Sequence, residues 1–151
     1  MNDYVRKKAL AYRRKFNTSD PFKLADALGI EVMTCDIGSR LGCYMYLKRS
    51  KCIWISESLE GNERMFVMAH ELGHAILHPK ENCYFLRTHT LLNTKLEVEA
   101  NKFAVEFLIP DEILTEYLKY KECSIEQVSR LLGYQKKLIE LRLKWLWHFN
   151  K

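Results

Sequence analysis

From residue 70 the chain reads His70-Glu71-Leu72-Gly73-His74, and this pattern restricts the surrounding fold more than any other stretch. Two histidines four residues apart project from one face of a helix, where neutral imidazole nitrogens can bind a single metal ion at about 2.0–2.1 Å. Glu71 sits one position round. In the H-E-x-x-H arrangement that offset lets a carboxylate take the proton of an attacking water while zinc polarises a scissile carbonyl. Phe66, Val67, Met68, Ala69, Leu72, Ala75, Ile76 and Leu77 surround the polar trio. The helix is therefore predicted to be buried, and buried ionisable groups need partners that a metal would supply. The competing reading is a core helix whose histidines share this spacing by coincidence.

Such a helix needs a scaffold, and 151 residues suffice for one domain that buries about two-thirds of its unfolded surface. No apolar run approaches the roughly 20 residues that span a bilayer. The charged start, Met1 to Lys8, lacks the apolar core of a signal peptide, so the cytoplasm is the expected location. Cys35, Cys43, Cys52, Cys83 and Cys123 are odd in number and contain no C-x-x-C pair, which fits reduced thiols better than disulfides or a cysteine metal site. The net charge of +5 divides into +5 for residues 1–16, −4 for 17–123 and +4 for 124–151. Basic ends around an acidic middle do not favour nucleic-acid binding on charge alone.

The periodicity predicts a first helix to about Phe16, capped by Asn2 or Asp3, with Val5, Ala9, Tyr12 and Phe16 on its apolar stripe and Arg6, Lys7, Arg13 and Arg14 towards solvent. Asp20 and Pro21 start a short helix that Gly29 ends. Residues 30–34 alternate like a strand, and 42–47 and 52–56 flank a polar turn at Lys48-Arg49-Ser50-Lys51, a hairpin signal. The metal-binding helix runs from about Glu63 to His78 and stops at Pro79; residues 80–93 show no period and are expected to be irregular. Further helices are expected at 95–108, 111–120, 124–132 and 135–149, the third opened by the capping-box pattern Ser124-Ile125-Glu126-Gln127. The expectation is a single α+β domain, mostly helical with a small antiparallel sheet: a basic N-terminal helix over 1–16, a core over 17–123 and a C-terminal helical pair over 124–151.

A catalytic zinc site normally has three protein ligands. His78 lies about 12 Å along the helix from His70, too far to share one ion, and reads as a structural or supporting histidine; His89 and His148 read as ordinary. A carboxylate on the next helix is the better source. Glu97 shares a face with Ala100, Asn101 and Ala104, whose small side chains would permit a close approach against Gly73, and Asn101 could hydrogen-bond a ligand. Glu99 shares its face with Phe103 and Glu106 and is the less suitable alternative; Thr94 to Glu97 is also a capping-box pattern that would turn Glu97 the other way. Tyr84, Arg87 and His89 are candidate stabilisers of a tetrahedral intermediate.

Three stretches together resemble the ImmA/IrrE metallopeptidases: Arg64 through His74 with Ile76-Leu77-His78, Glu97 through Pro110, and more loosely Leu24 through Val32. The resemblance implies a zincin-like core with a gluzincin-like site, in which His70, His74 and Glu97 bind Zn2+ and Glu71 is the base. It also implies an endopeptidase that cleaves a helix-turn-helix repressor of phage, mobile-element or stress genes, or an antirepressor that inactivates it without cleavage. Residues 125–143 look like a helix-turn-helix with Gly133 at the turn, which taken alone suggests DNA binding. Leu138, Ile139, Leu141, Leu143, Trp145, Leu146 and Trp147 make its second helix apolar, better suited to packing or protein contact than to a groove.

Overall fold

The computed structural model describes residues 4–81, 83–86 and 94–147, with side chains outside the description at 83–86 and 145–147. Its elements are α1 (Tyr4–Phe16), α2 (Pro21–Ala27), β1 (Glu31–Cys35), β2 (Arg40–Leu47), β3 (Ser50–Ser56), α3 (Gly61–Leu77), β4 (Cys83–Leu86), α4 (Lys95–Leu108), α5 (Asp111–Leu114), a π-helical turn (Thr115–Tyr120), α6 (Ile125–Leu132) and α7 (Lys136–Trp147). The class is α+β, as the sequence predicts. The proposed caps of Asn2 or Asp3, and His89 and His148, lie outside the described residues.

Local chemistry accounts for most boundaries. Asp20 accepts a hydrogen bond from the Phe22 amide at 2.9 Å, Pro21 occupies the first turn of α2, and Gly29 leaves the helix at φ +71°. Ser124 and Gln127 close a reciprocal capping box at the start of α6, and Gly133 ends that helix in the left-handed region. The hairpin turn is tighter than predicted: Lys48 and Arg49 alone form it, both at positive φ, as a two-residue turn matching the twist of its strands requires. Two other departures concern length. Residues 111–120 form one α-turn followed by a π-helical turn, and the stretch expected to be irregular contains β4.

The sheet has the order β1-β3-β2-β4 and is mixed, not antiparallel throughout as predicted: the chain reverses twice between β1 and β3, so these two neighbours run parallel while the other pairs are antiparallel. Its inner residues, Leu41, Tyr44, Ile53 and Ile55, join Val67, Met68 and Leu72 of α3 and Phe103, Ala104 and Phe107 of α4 in one apolar cluster. Helix α3 is thus enclosed between sheet and helix, and residues 66–75 are all buried. Lys51 donates to the Ala75 carbonyl at 2.7 Å, placing a cation at the C-terminal end of α3 where the helix dipole favours it.

A second cluster, Ile109, Leu114, Val128, Ile139 and Leu143, seats the C-terminal pair on the end of α4. Leu138, Ile139, Arg142 and Leu143 are buried, so α7 presents this face to the protein interior and not to a groove. The prediction for α1 needs correcting at two positions. Val5 and Ala9 are buried as expected, but Arg6 and Arg13 do not face solvent. Arg6 donates to Glu106 at 2.6 Å and pairs with Asp111; Arg13 donates to the Glu106 carbonyl at 3.1 Å. Arg142, fully buried, completes this group by pairing with Asp111 and donating to the Ile109 carbonyl at 2.9 Å. The partners lie 93 to 105 residues from α1, beyond the reach of a helical-wheel argument.

Candidate metal centre

Helices α3 and α4 pack so closely that a Cβ on Gly73 would lie 3.2 Å from the Cα and carbonyl oxygen of Ala100 and the same distance from Cβ of Phe103. The missing side chain at Gly73 and the small one at Ala100 therefore set the distance between His70 and His74 on one helix and Glu97 on the other. Glu97 lies in the first turn of α4. Thr94 accepts from its amide at 3.4 Å, but the carboxylate turns towards the histidines and not back to the cap.

Glu97 Oε2 is 3.0 Å from His70 Nε2, Glu97 Oε1 is 3.1 Å from His74 Nε2, and the two Nε2 atoms are 3.2 Å apart. One donor atom from each residue falls within 4.8 Å of the others, the only such group of three among the described residues that could hold a metal ion. Asn101 Oδ1 lies 2.8 Å from His70 Nδ1, one turn beyond Glu97. Glu99 stands outside the cluster and instead contacts His78 at 3.2 Å, while His78 Nδ1 is 3.1 Å from His74 Nδ1. His78 is accordingly a neighbour of the cluster and not a member.

Electrostatics set these groups apart. Burial is the largest influence on Glu97 and pulls its pKa up, but His70 and His74 together outweigh it and bring the value down to about 2. Burial holds His74 down at about 4, so near neutral pH it is an uncharged imidazole. Glu71 is completely buried, and neither carboxylate oxygen has a hydrogen bond of good geometry. Burial, then the charge of Glu97, pushes its pKa well above the ordinary carboxylate range against a smaller opposing effect from the Tyr44 backbone.

This donor set fits a divalent cation. Two neutral imidazole nitrogens and one carboxylate meet the three-ligand pattern of a catalytic zinc site, and Glu97 Oε2, buried without a hydrogen bond of good geometry, is satisfied by a metal at the point of convergence. What the sequence did not disclose is the role of the sheet. A Cβ on Gly42 would meet Val67 Cγ1 at 2.8 Å and Glu71 at 3.0 Å, so β2 lies directly against the carboxylate. A glycine inside a strand pattern is the signal that could have shown it, since it often marks such an approach. The side chains of Tyr84, Arg87 and His89 lie outside the described residues.

Residues 25–144 match the sequence model of the IrrE N-terminal-like domain, a peptidase family. The chain belongs to that family. The match covers α3, α4 and all three converging residues. Among individual relatives, the chain is 40% identical over 131 residues to "Uncharacterized immunity region protein 2" of Bacillus phage phi105, covering 85% of this chain and 82% of the relative. It is 27% identical over 150 residues to "Metallopeptidase ImmA" of Bacillus subtilis strain 168, covering 97% and 88%. A metallopeptidase of the ImmA/IrrE type is thus the family setting of the cluster, and no helix among the described residues is long and apolar enough to cross a membrane.

Proposed function

We propose that this chain is a zinc-dependent endopeptidase, acting in the cytoplasm, that cleaves and thereby inactivates a helix-turn-helix transcriptional repressor. The observation that carries the proposal is the convergence of His70, His74 and Glu97 beside an unpaired, fully buried Glu71. Imidazole and carboxylate donors in a three-ligand set suit zinc, and the names of the phage and Bacillus subtilis relatives supply the immunity and metallopeptidase context.

His70, His74 and Glu97 would hold the ion, which when bound supplies Lewis-acid polarisation of a carbonyl and activation of a water. The chain's own groups do the rest. Glu71, one helical position from His70, takes the proton of the attacking water and passes it to the departing amide nitrogen, so one carboxylate serves first as base and then as acid. Its raised pKa reflects burial next to another carboxylate, and a positive charge among the three ligands shifts it back towards the ionised form that a base requires. The narrow separation of α3 and α4 and the wall formed by β2 at Gly42 keep this carboxylate from solvent.

The test is metal analysis followed by Glu71→Gln. The purified chain should carry one zinc per molecule; a chain without stoichiometric metal would sink the peptidase reading. Glu71→Gln should keep the metal and lose cleavage of a repressor encoded beside the gene, scored by mass measurement of fragments after co-expression. A second reading, an antirepressor that binds without cutting, is favoured by one observation: His70, Glu71 and His74 have no exposed surface, so hydrolysis requires the site to open. Undiminished derepression by Glu71→Gln would select it.

A further inference from the structure

We propose that His78 and Glu99 are positioning residues that lock His74 in the one tautomer able to offer Nε2 to a metal, an inference that rests on the metal-binding reading above. The assignment follows from what each atom can do. An ionised carboxylate only accepts hydrogen bonds, so at the 3.2 Å contact with Glu99 Oε2 the proton is on His78 Nε2. A neutral imidazole with its proton on Nε2 has a lone pair on Nδ1. That lone pair faces His74 Nδ1 at 3.1 Å, and the contact is a hydrogen bond only if His74 carries its proton on Nδ1. His74 Nε2 is then unprotonated and directed at Glu97 and His70.

The same end is reached for His70 by a shorter route. An amide oxygen also only accepts, so Asn101 Oδ1 at 2.8 Å places the His70 proton on Nδ1 and leaves its Nε2 bare. Four atoms without protons, two nitrogens and the two oxygens of the Glu97 carboxylate, therefore meet in contacts of 3.0 to 3.2 Å.

The two supports differ in kind. Asn101 is a buried amide; Glu99 is a carboxylate whose side chain is 24% exposed, with Lys95 3.9 Å from its other oxygen. A carboxylate acting through a histidine raises the basicity of the ligand beyond what an amide does, and partners of this type commonly alter metal affinity 10- to 100-fold. The pair also explains why α4 carries two glutamates two positions apart, one turned to each end of the His70–His78 run.

Nitrogen-15 NMR of the histidine side chains in the metal-free chain at neutral pH, with titration by Zn2+ alone, tests this without any peptidase assay. The expected result is Nδ1-protonated His70 and His74 and Nε2-protonated His78. Glu99→Ala and His78→Phe should convert His74 to a mixture of tautomers and weaken zinc binding about 10- to 100-fold, leaving the His70 signals in place. Glu99→Gln, which keeps an acceptor oxygen, should restore the His74 tautomer and recover part of the affinity. A wild-type His74 protonated on Nε2, or a Glu99→Ala chain with unchanged tautomer and unchanged zinc affinity, overturns the proposal. A purely structural role would lower thermal stability in these variants without moving the His74 tautomer. The tautomers are read without metal, so a chain that binds no zinc would defeat the function proposed above while the NMR result still decides this one.

Discussion

Helix α4 carries a buried carboxylate near each end, and the two are satisfied in opposite ways. Glu97 and Glu106 are nine residues apart, about 13 Å along the helix. Around Glu106 the protein supplies its own cations: Arg6 and Arg142 stand against Glu106 and Asp111, two charges of each sign, with Arg13 on the Glu106 carbonyl. Around Glu97 there is a second carboxylate, Glu71, and two imidazoles, and neither glutamate forms an ion pair with lysine or arginine among the described residues. Burial alone therefore does not distinguish a structural ionic cluster from a functional one. What distinguishes them is whether the chain closes its own charge balance. The end that closes it ties α1, α4, α5 and α7 together; the end that leaves it open gathers donor atoms of the kind that hold a cation.

Glu71→Gln should lower peptide cleavage by about 10²- to 10⁴-fold at full metal occupancy, measured on a co-purified repressor and by metal analysis, because only the proton acceptor is removed. Arg142→Ala should cost about 3 kcal/mol of stability in chemical denaturation by removing the fully buried cation of the cluster and leaving Glu106 and Asp111 to Arg6 alone, and should leave the metal stoichiometry unchanged. Loss of zinc in that variant without loss of stability would show that the two ends are not separate. Gly73→Ala should do some of both, costing about 1–3 kcal/mol through the 3.2 Å contacts with Ala100 and Phe103 and weakening zinc binding as α4 is pushed outwards.

Acid provides the mildest separation. Burial raises the Asp111 pKa as the largest influence, but its bonds to Arg6 and Arg142 together bring it below 3.8. The stability it contributes is present above that unfolded value and is lost only as pH falls through the lower folded one. Glu106 is shifted the other way, by burial against Arg142 and Arg6, so its contribution is fully present below the unfolded value and declines as pH rises through the folded one. Metal ligands, by contrast, must lose protons to bind. Lowering the pH should therefore release zinc before it unfolds the chain, read by a zinc indicator and circular dichroism in one titration. Coincident transitions would contradict the division.

The two ends also differ in how far the sequence reveals them. His70, His74 and Glu97 can be brought together from helical spacing because each helix contributes a local pattern and the small residues Gly73 and Ala100 indicate where they touch. The Arg6–Glu106–Asp111–Arg142 cluster has no such pattern. Its members are ordinary surface residue types, and α1 considered alone puts Arg6 and Arg13 on the polar face; only the docking of α1 against α4 reverses that. Strand β4 lacks a local signature for a related reason: its four residues gain strand identity from pairing with β2, not from their own alternation. Distance along the helix separates His78 from His70, but its contact with Glu99 joins two helices and cannot be read from either.

Gly42 constrains how the sequence can drift. A side chain there would press on Val67 and on the carboxylate of Glu71, so position 42 is open to nothing larger than hydrogen unless Glu71 moves. In any set of related chains, substitutions at position 42 and at position 71 should therefore occur together, and a chain that has abandoned Glu71 should be free to abandon Gly42 as well. Gly42 would then mark which related chains keep Glu71 in place.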